Sequence, residues 1–155
     1  MVARAAMTLF ALFCFLGEAN AQKTLPYEYG FEKGDPVTEG WSMVDCDKQS
    51  EIYAGSSMGG HYLFDFHPNK DHDQYLISPE LDSSAPISVL FYYKVADPGI
   101  SAIFEVGYST TTNDVSAFTW DLPRTYYSPD KHPYANTYPA GTKYIAIKYR
   151  SFSDT

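Results

Sequence analysis

The chain has 155 residues, a length that suits one domain, and carries 11 Lys+Arg against 19 Asp+Glu for a net charge of −8. An acidic chain with no basic cluster argues against a nucleic-acid partner or an anionic membrane surface, because both need a positive face. Its 45% hydrophobic and 17% aromatic content, with 14 Tyr, excludes a disordered tail, and ten Gly and ten Pro predict many short elements with turns between them.

The N-terminus follows the pattern of a removable signal peptide. Arg4 supplies the positive end, residues 8–16 form an apolar run, and Ala19-Asn20-Ala21 fits the cleavage pattern. The signal is expected to span residues 1–21, with Gln22 opening a domain over 22–155. The apolar run is too short to cross a bilayer, so no transmembrane segment is expected after its removal and the product is secreted or held at the cell surface. Arg4 and Glu18 cancel, so the mature charge stays at −8. Cleavage also removes Cys14 and leaves Cys46 alone, which rules out an intramolecular disulfide and makes a core or a metal ion the source of stability. Asp45 and Asp47 beside Cys46 disfavour a thiolate, so Cys46 reads as a small buried hydrophobe.

After residue 22 helical periodicity gives way to strand-like alternation. Strands are expected at 27–32, 41–45, 51–54, 61–66, 74–78, 87–95, 101–109 and 143–150. In 87–95, Ile87, Val89, Phe91, Tyr93 and Val95 share one face with Leu90 and Tyr92 behind, which predicts a strand buried on both sides. In 101–109, Ala102, Phe104, Val106 and Tyr108 share a face. Turn signals lie between these runs, among them Asp97-Pro98-Gly99 and Pro139-Ala140-Gly141. Strands at this spacing without intervening helices predict an all-β domain, an antiparallel β-sandwich of jelly-roll type. Residues 151–155 form a polar tail directly after a strong strand, so the sandwich is expected to be missing its last strand.

Five blocks in register then resemble the cleaved-adhesin family, also described as choice-of-anchor J or MAM-like domains, which includes the haemagglutinin/adhesin domains of gingipain-type bacterial surface proteins. They are Tyr29-Gly30-Phe31-Glu32 with Gly40-Trp41; residues 74–82 (QYLISPELD); Phe91-Tyr92-Tyr93-Lys94; residues 108–118 (YSTTTNDVSAF); and residues 139–147 (PAGTKYIAI). The family continues with an aromatic strand ending in an acidic pair, absent here, and its Trp before the Pro-Ala-Gly-Thr block has no counterpart near Tyr134. The resemblance implies a bacterial surface setting, attachment to a larger protein, and structural Ca²⁺ with Glu32 as the ligand that carries over.

A hard cation takes six to eight oxygens. Asp45, Asp47, Asp65, Asp71 and Asp73 are further candidates by clustering alone, against the alternative of a solvated acidic loop. Zinc at His61, Asp65, His67, Asp71, His72 and Asp73 is disfavoured, since the spacing matches no zinc motif and loop histidines explain it. No nucleophile elbow, P-loop or dinucleotide turn occurs, so no catalytic activity is expected. Trp120, Tyr126, Tyr127, Tyr134 and Tyr138 lie in or beside a Pro-punctuated stretch with weak strand pattern. They are either a ligand-binding surface or the cap of the sandwich end. The function expected is a non-catalytic, exported adhesin-like binding module stiffened by calcium, presenting loops to a host, matrix or cell-surface protein or glycan. The alternatives are a carbohydrate-binding module serving a secreted hydrolase and a structural spacer.

Overall fold

The structure, a computed structural model, describes residues 22–31, 39–46, 52–53, 61–64, 71–95 and 101–151. The signal segment, Glu32, Asp47, Asp65, His67 and the strand expected to be missing after 151 lie outside the described residues. Among the described residues the strands in chain order are β1 (Lys23–Thr24), β2 (Ser42–Val44), β3 (Ile52–Tyr53), β4 (His61–Tyr62), β5 (His72–Ile77), β6 (Leu81–Asp82), β7 (Ile87–Tyr93), β8 (Ala102–Ser109), β9 (Thr119–Trp120), β10 (Arg124–Tyr126), β11 (His132–Tyr138) and β12 (Tyr144–Ser151). The large sheet runs β10–β8–β12–β5–β2, with β9 also on β8, and the second sheet pairs β7 with β11. Pairing in both is antiparallel, and the short pair β1–β6 is parallel. Residues 27–31 carry no strand, and Phe31, with φ 54°, leaves the extended region.

The core lies between the two sheets. Phe104 and Val106 of β8, Ile145 of β12, Ile87 of β7 and Tyr134 and Tyr138 of β11 are buried together, with Val89, Phe91, Tyr93, Tyr108 and Ile147 packed around them. Alternation explains this set, since successive side chains of a strand point to opposite faces. Rings dominate the contact. Phe91 stacks on Tyr134 with centroids 4.7 Å apart, and Tyr93 meets Phe104 edge-on at 4.6 Å.

The opposite face of the large sheet has its own cover. Ile77 and Ala146 are buried there beneath Phe118, with Val115 and Trp120 beside it. The segment after β8 therefore folds back over its own sheet, so the large sheet, with β12 at its centre, is covered on both sides there. The turn from β11 to β12 matches the expected Pro-Ala-Gly signal: Gly141 takes φ +81°, and the Thr142 hydroxyl donates to the Pro139 carbonyl at 2.7 Å.

β7 differs from expectation on one side. Leu90 and Tyr92 are both 65% exposed, because the second sheet's outer surface faces solvent among the described residues. Leu90→Ser should therefore change stability by no more than about 0.5 kcal/mol in urea denaturation, whereas Phe91→Ala should cost about 3 kcal/mol. Similar losses at both positions would mean that the outer surface is packed after all.

Candidate functional site

The Pro-punctuated stretch after Phe118 carries more strand than its weak pattern indicates. It forms β9, β10 and β11, and it places the aromatic candidates in three different environments. Between the pairs Trp120↔Gly107 and Arg124↔Phe104, three residues (121–123) face two of β8, so a bulge interrupts the edge. Pro123, which has no N–H, fits there. The bulge leaves Leu122 86% exposed and turns Asp121 towards the second sheet. Oδ2 of Asp121 accepts from the Tyr134 hydroxyl at 2.7 Å, the Tyr138 hydroxyl at 2.8 Å and Asn136 Nδ2 at 2.9 Å.

Tyr134 is thus corrected from a ligand-binding candidate to a core residue, 1% exposed, and Tyr138 at 2% is likewise buried, which is the capping alternative for both. Burial pushes the hydroxyl pKa of both upward, helped at Tyr138 by the Tyr134 hydroxyl and Asp121. Tyr126 is half-buried, its ring against Tyr93 at 4.8 Å and His132 at 4.7 Å, and its hydroxyl donates to the Asp130 carbonyl at 2.8 Å. Tyr127 is exposed. Trp120 lies on the other face of the large sheet, 5.8 Å from the Tyr75 ring, and so does not join Tyr126 and Tyr127 in one surface.

That outer face carries paired charges which the strand register brings together. Tyr75, Lys148 and Glu105 form one row across β5, β12 and β8, and Asp73, Arg150 and Ile103 form the next. Lys148 Nζ sits 2.7 Å from Glu105 Oε1 and 4.8 Å from the Trp120 ring centre, and both charged side chains are largely covered at 13% and 15% exposure. Arg150 grips Asp73 side-on, Nε to Oδ1 at 2.8 Å and Nη2 to Oδ2 at 3.2 Å. Asp71, His72, Asp73 and Arg150 line a shallow depression of about 320 Å³.

The expected metal ligands do not converge. Among the described residues no group of three His, Cys, Asp or Glu side chains could hold an ion. Asp73 instead gives both carboxylate oxygens to Arg150, while Asp45 follows β2 at φ 52° and Asp71 precedes β5. The described Asp45, Asp71 and Asp73 therefore do not fit a calcium site by themselves.

Arg150, through its hydrogen bonds first, holds the Asp73 carboxyl below its ordinary value. A depressed carboxylate stabilises the fold fully above the unfolded value near pH 4 and loses that contribution as pH falls through the folded one. Asp73→Asn should accordingly lower the urea midpoint near neutral pH, and the gap to the parent should close in acid. A gap that stays constant into acid would break this link.

No known family's sequence profile matches the chain, and no curated protein does. Solved structures do. The fold is that of an antiparallel β-sandwich similar to gingipain adhesin domains, as expected. The K3 cleaved adhesin domain of Lys-gingipain from Porphyromonas gingivalis superposes with a TM-score of 0.64 at 24% identity, over 81% of this chain and 88% of that one. The K1 domain of the same protein gives 0.53 at 20% identity, over 82% and 97%. The K2 domain of Lys-gingipain gives 0.56 at 16% identity, over 81% and 95%.

Proposed function

We propose that this chain is a non-catalytic, extracellular adhesin-like binding module whose partner is a host, matrix or cell-surface macromolecule. The observation that carries the proposal is the shared architecture: each of three cleaved adhesin domains is matched over more than four-fifths of this chain. The surface supports it, with Leu90, Tyr92, Leu122 and Tyr127 presenting large apolar groups to solvent on a rigid frame. The immobilised full chain should retain epithelial cells, or bind surfaces coated with collagen, fibrinogen or laminin, above an unrelated β-sandwich of equal charge. Retention equal to that control would defeat the proposal.

Calcium stiffening belongs to the same proposal and rests on Glu32, Asp47 and Asp65, the candidates outside the described residues. An ion bound only by the folded state adds about 2.7 kcal/mol at a hundredfold excess over its Kd. The melting temperature of the full chain should therefore rise by several degrees from EDTA to millimolar Ca²⁺, and Glu32→Ala should abolish the rise. Equal melts with and without the ion would remove calcium from the account.

A further inference from the structure

We propose that the outer face of the large sheet, where the Arg150–Asp73 fork and the depression beside it adjoin the rings of Tyr75 and Trp120, is a binding site for an uncharged saccharide. The inference rests on the binding-module function above and names the class of ligand for one of its faces.

Three features of the face carry it. The first is a fixed set of planar polar groups. A guanidinium has five N–H donors, and the side-on grip of Asp73 uses one on Nε and one on Nη2. The other N–H of Nη2 and both of Nη1 point away from Asp73, on a side chain that is 51% exposed. Each Asp73 oxygen keeps a further lone pair. Sugar hydroxyls both donate and accept, so two neighbouring hydroxyls can bridge such a fork, one accepting from Arg150 and one donating to Asp73. Because Asp73 already holds the guanidinium, little side-chain freedom is lost when the ligand arrives.

The second feature is an apolar platform beside the fork. Tyr75 is two residues along β5 from Asp73, on the same face, and lies within electrostatic reach of Asp73 and Arg150. Trp120 lies beside it with 5.8 Å between ring centres, its indole partly packed against Phe118 and the Lys148 ammonium. The C–H face of a pyranose packs on such rings while its hydroxyl edge meets charged groups.

The third is charge. Asp45, Asp71, Asp73 and Glu105 outnumber Lys148 and Arg150, and both cations are already matched at 2.7 and 2.8 Å. Among the described residues that face offers neither the uncompensated cations an anionic glycan needs nor a group of carboxylates that could hold a cation. The depression of about 320 Å³ is at the small end of the usual range for ligand sites and suits one or two sugar units.

The test uses the full chain on an array of neutral and sialylated or sulfated glycans, followed by calorimetric titration with cellobiose, lactose and mannobiose. Binding to neutral glycans is expected. Arg150→Lys keeps the charge and loses the fork, so it should weaken that binding about tenfold or more with the melting temperature held within a few degrees. Ser84→Ala, exposed between β6 and β7 and off this face, should leave binding unchanged. Retention of no neutral glycan, a preference for anionic ones, or an Arg150→Lys variant that binds like the parent would each overturn the proposal. Cell or matrix binding that survives enzymatic removal of glycans would defeat the saccharide site and leave the adhesin function standing. Loss of binding to every surface would defeat both.

Discussion

Asp121→Ala should lower the stability of this domain by about 2–4 kcal/mol, one of the two largest effects expected of a single substitution here. One carboxylate oxygen gathers Tyr134, Tyr138 and Asn136, while the two tyrosine hydroxyls lie 2.6 Å from each other. The two hydroxyl protons are shared among three short oxygen contacts, so Asp121 is the common acceptor that holds the cluster together. Truncation strands buried donors at about 1–3 kcal/mol each, offset in part because Tyr134 and Tyr138 keep one another and Asn136 reaches solvent. Asp121→Asn should recover about half, since it restores an oxygen without the charge. Combining Asp121→Ala with Tyr138→Phe should cost less than the two losses added, by about 1–2 kcal/mol, because the second change removes a donor already stranded. Urea midpoints read these values. A loss for Asp121→Ala below about 0.5 kcal/mol would show that the cluster is not what ties the bulge to β11. The consequence extends to the surface, because the same bulge holds Leu122 outward.

Much of the frame was legible because apolar alternation and burial coincide in β7, β8 and β12. The pattern in 143–150 put Ile145 and Ile147 against Ala146, Lys148 and Arg150, and the two sets do face opposite sides of the large sheet. β11 escaped notice for a physical reason. Pro133 reads as a breaker, yet it sits in a two-stranded sheet opposite Tyr92, and Asn136 interrupts the apolar face because it serves Asp121. Leu90 and Tyr92 misled in the other direction. An apolar residue on both sides of a strand suggests double cover, whereas the observed outer surface is open. The polar constellations were the least legible. Lys148 and Arg150 were visible as two cations on one face of a strand, but their partners Glu105 and Asp73 lie on other strands, 77 residues away in the case of Asp73. Register alone decides such pairs, and composition does not encode register. Asp121 was hidden in the same way, as one acid among 19.

The second large effect is expected at Gly107. A methyl group there would lie 2.6 Å from Trp120 Cε3, 2.9 Å from its Cδ2 and 3.0 Å from the Thr119 carbonyl oxygen, closer than real side chains approach. The obstacle is a fused ring and a backbone atom, so no flexible chain end can swing away. Trp120 is itself held by Phe118 at 5.4 Å and lies over the Lys148 ammonium. Gly107→Ala should therefore cost about 1–3 kcal/mol through overpacking, and Gly107→Val more. Trp120→Ala, which uncovers Gly107 and the Glu105–Lys148 pair, should cost about 2–3 kcal/mol on its own. In the Trp120→Ala background only the Thr119 carbonyl still crowds the methyl at 3.0 Å, so Gly107→Ala should then cost distinctly less, giving a coupling of about 1–2 kcal/mol. Near-ultraviolet circular dichroism supplies an independent readout, since a displaced indole loses its fixed surroundings. Additive losses, or an unchanged tryptophan signal in Gly107→Ala, would separate the glycine from the ring. If the coupling is found, the glycine is there so that the indole can lie flat on the sheet, and that flat ring is also what the proposed saccharide face requires of Trp120.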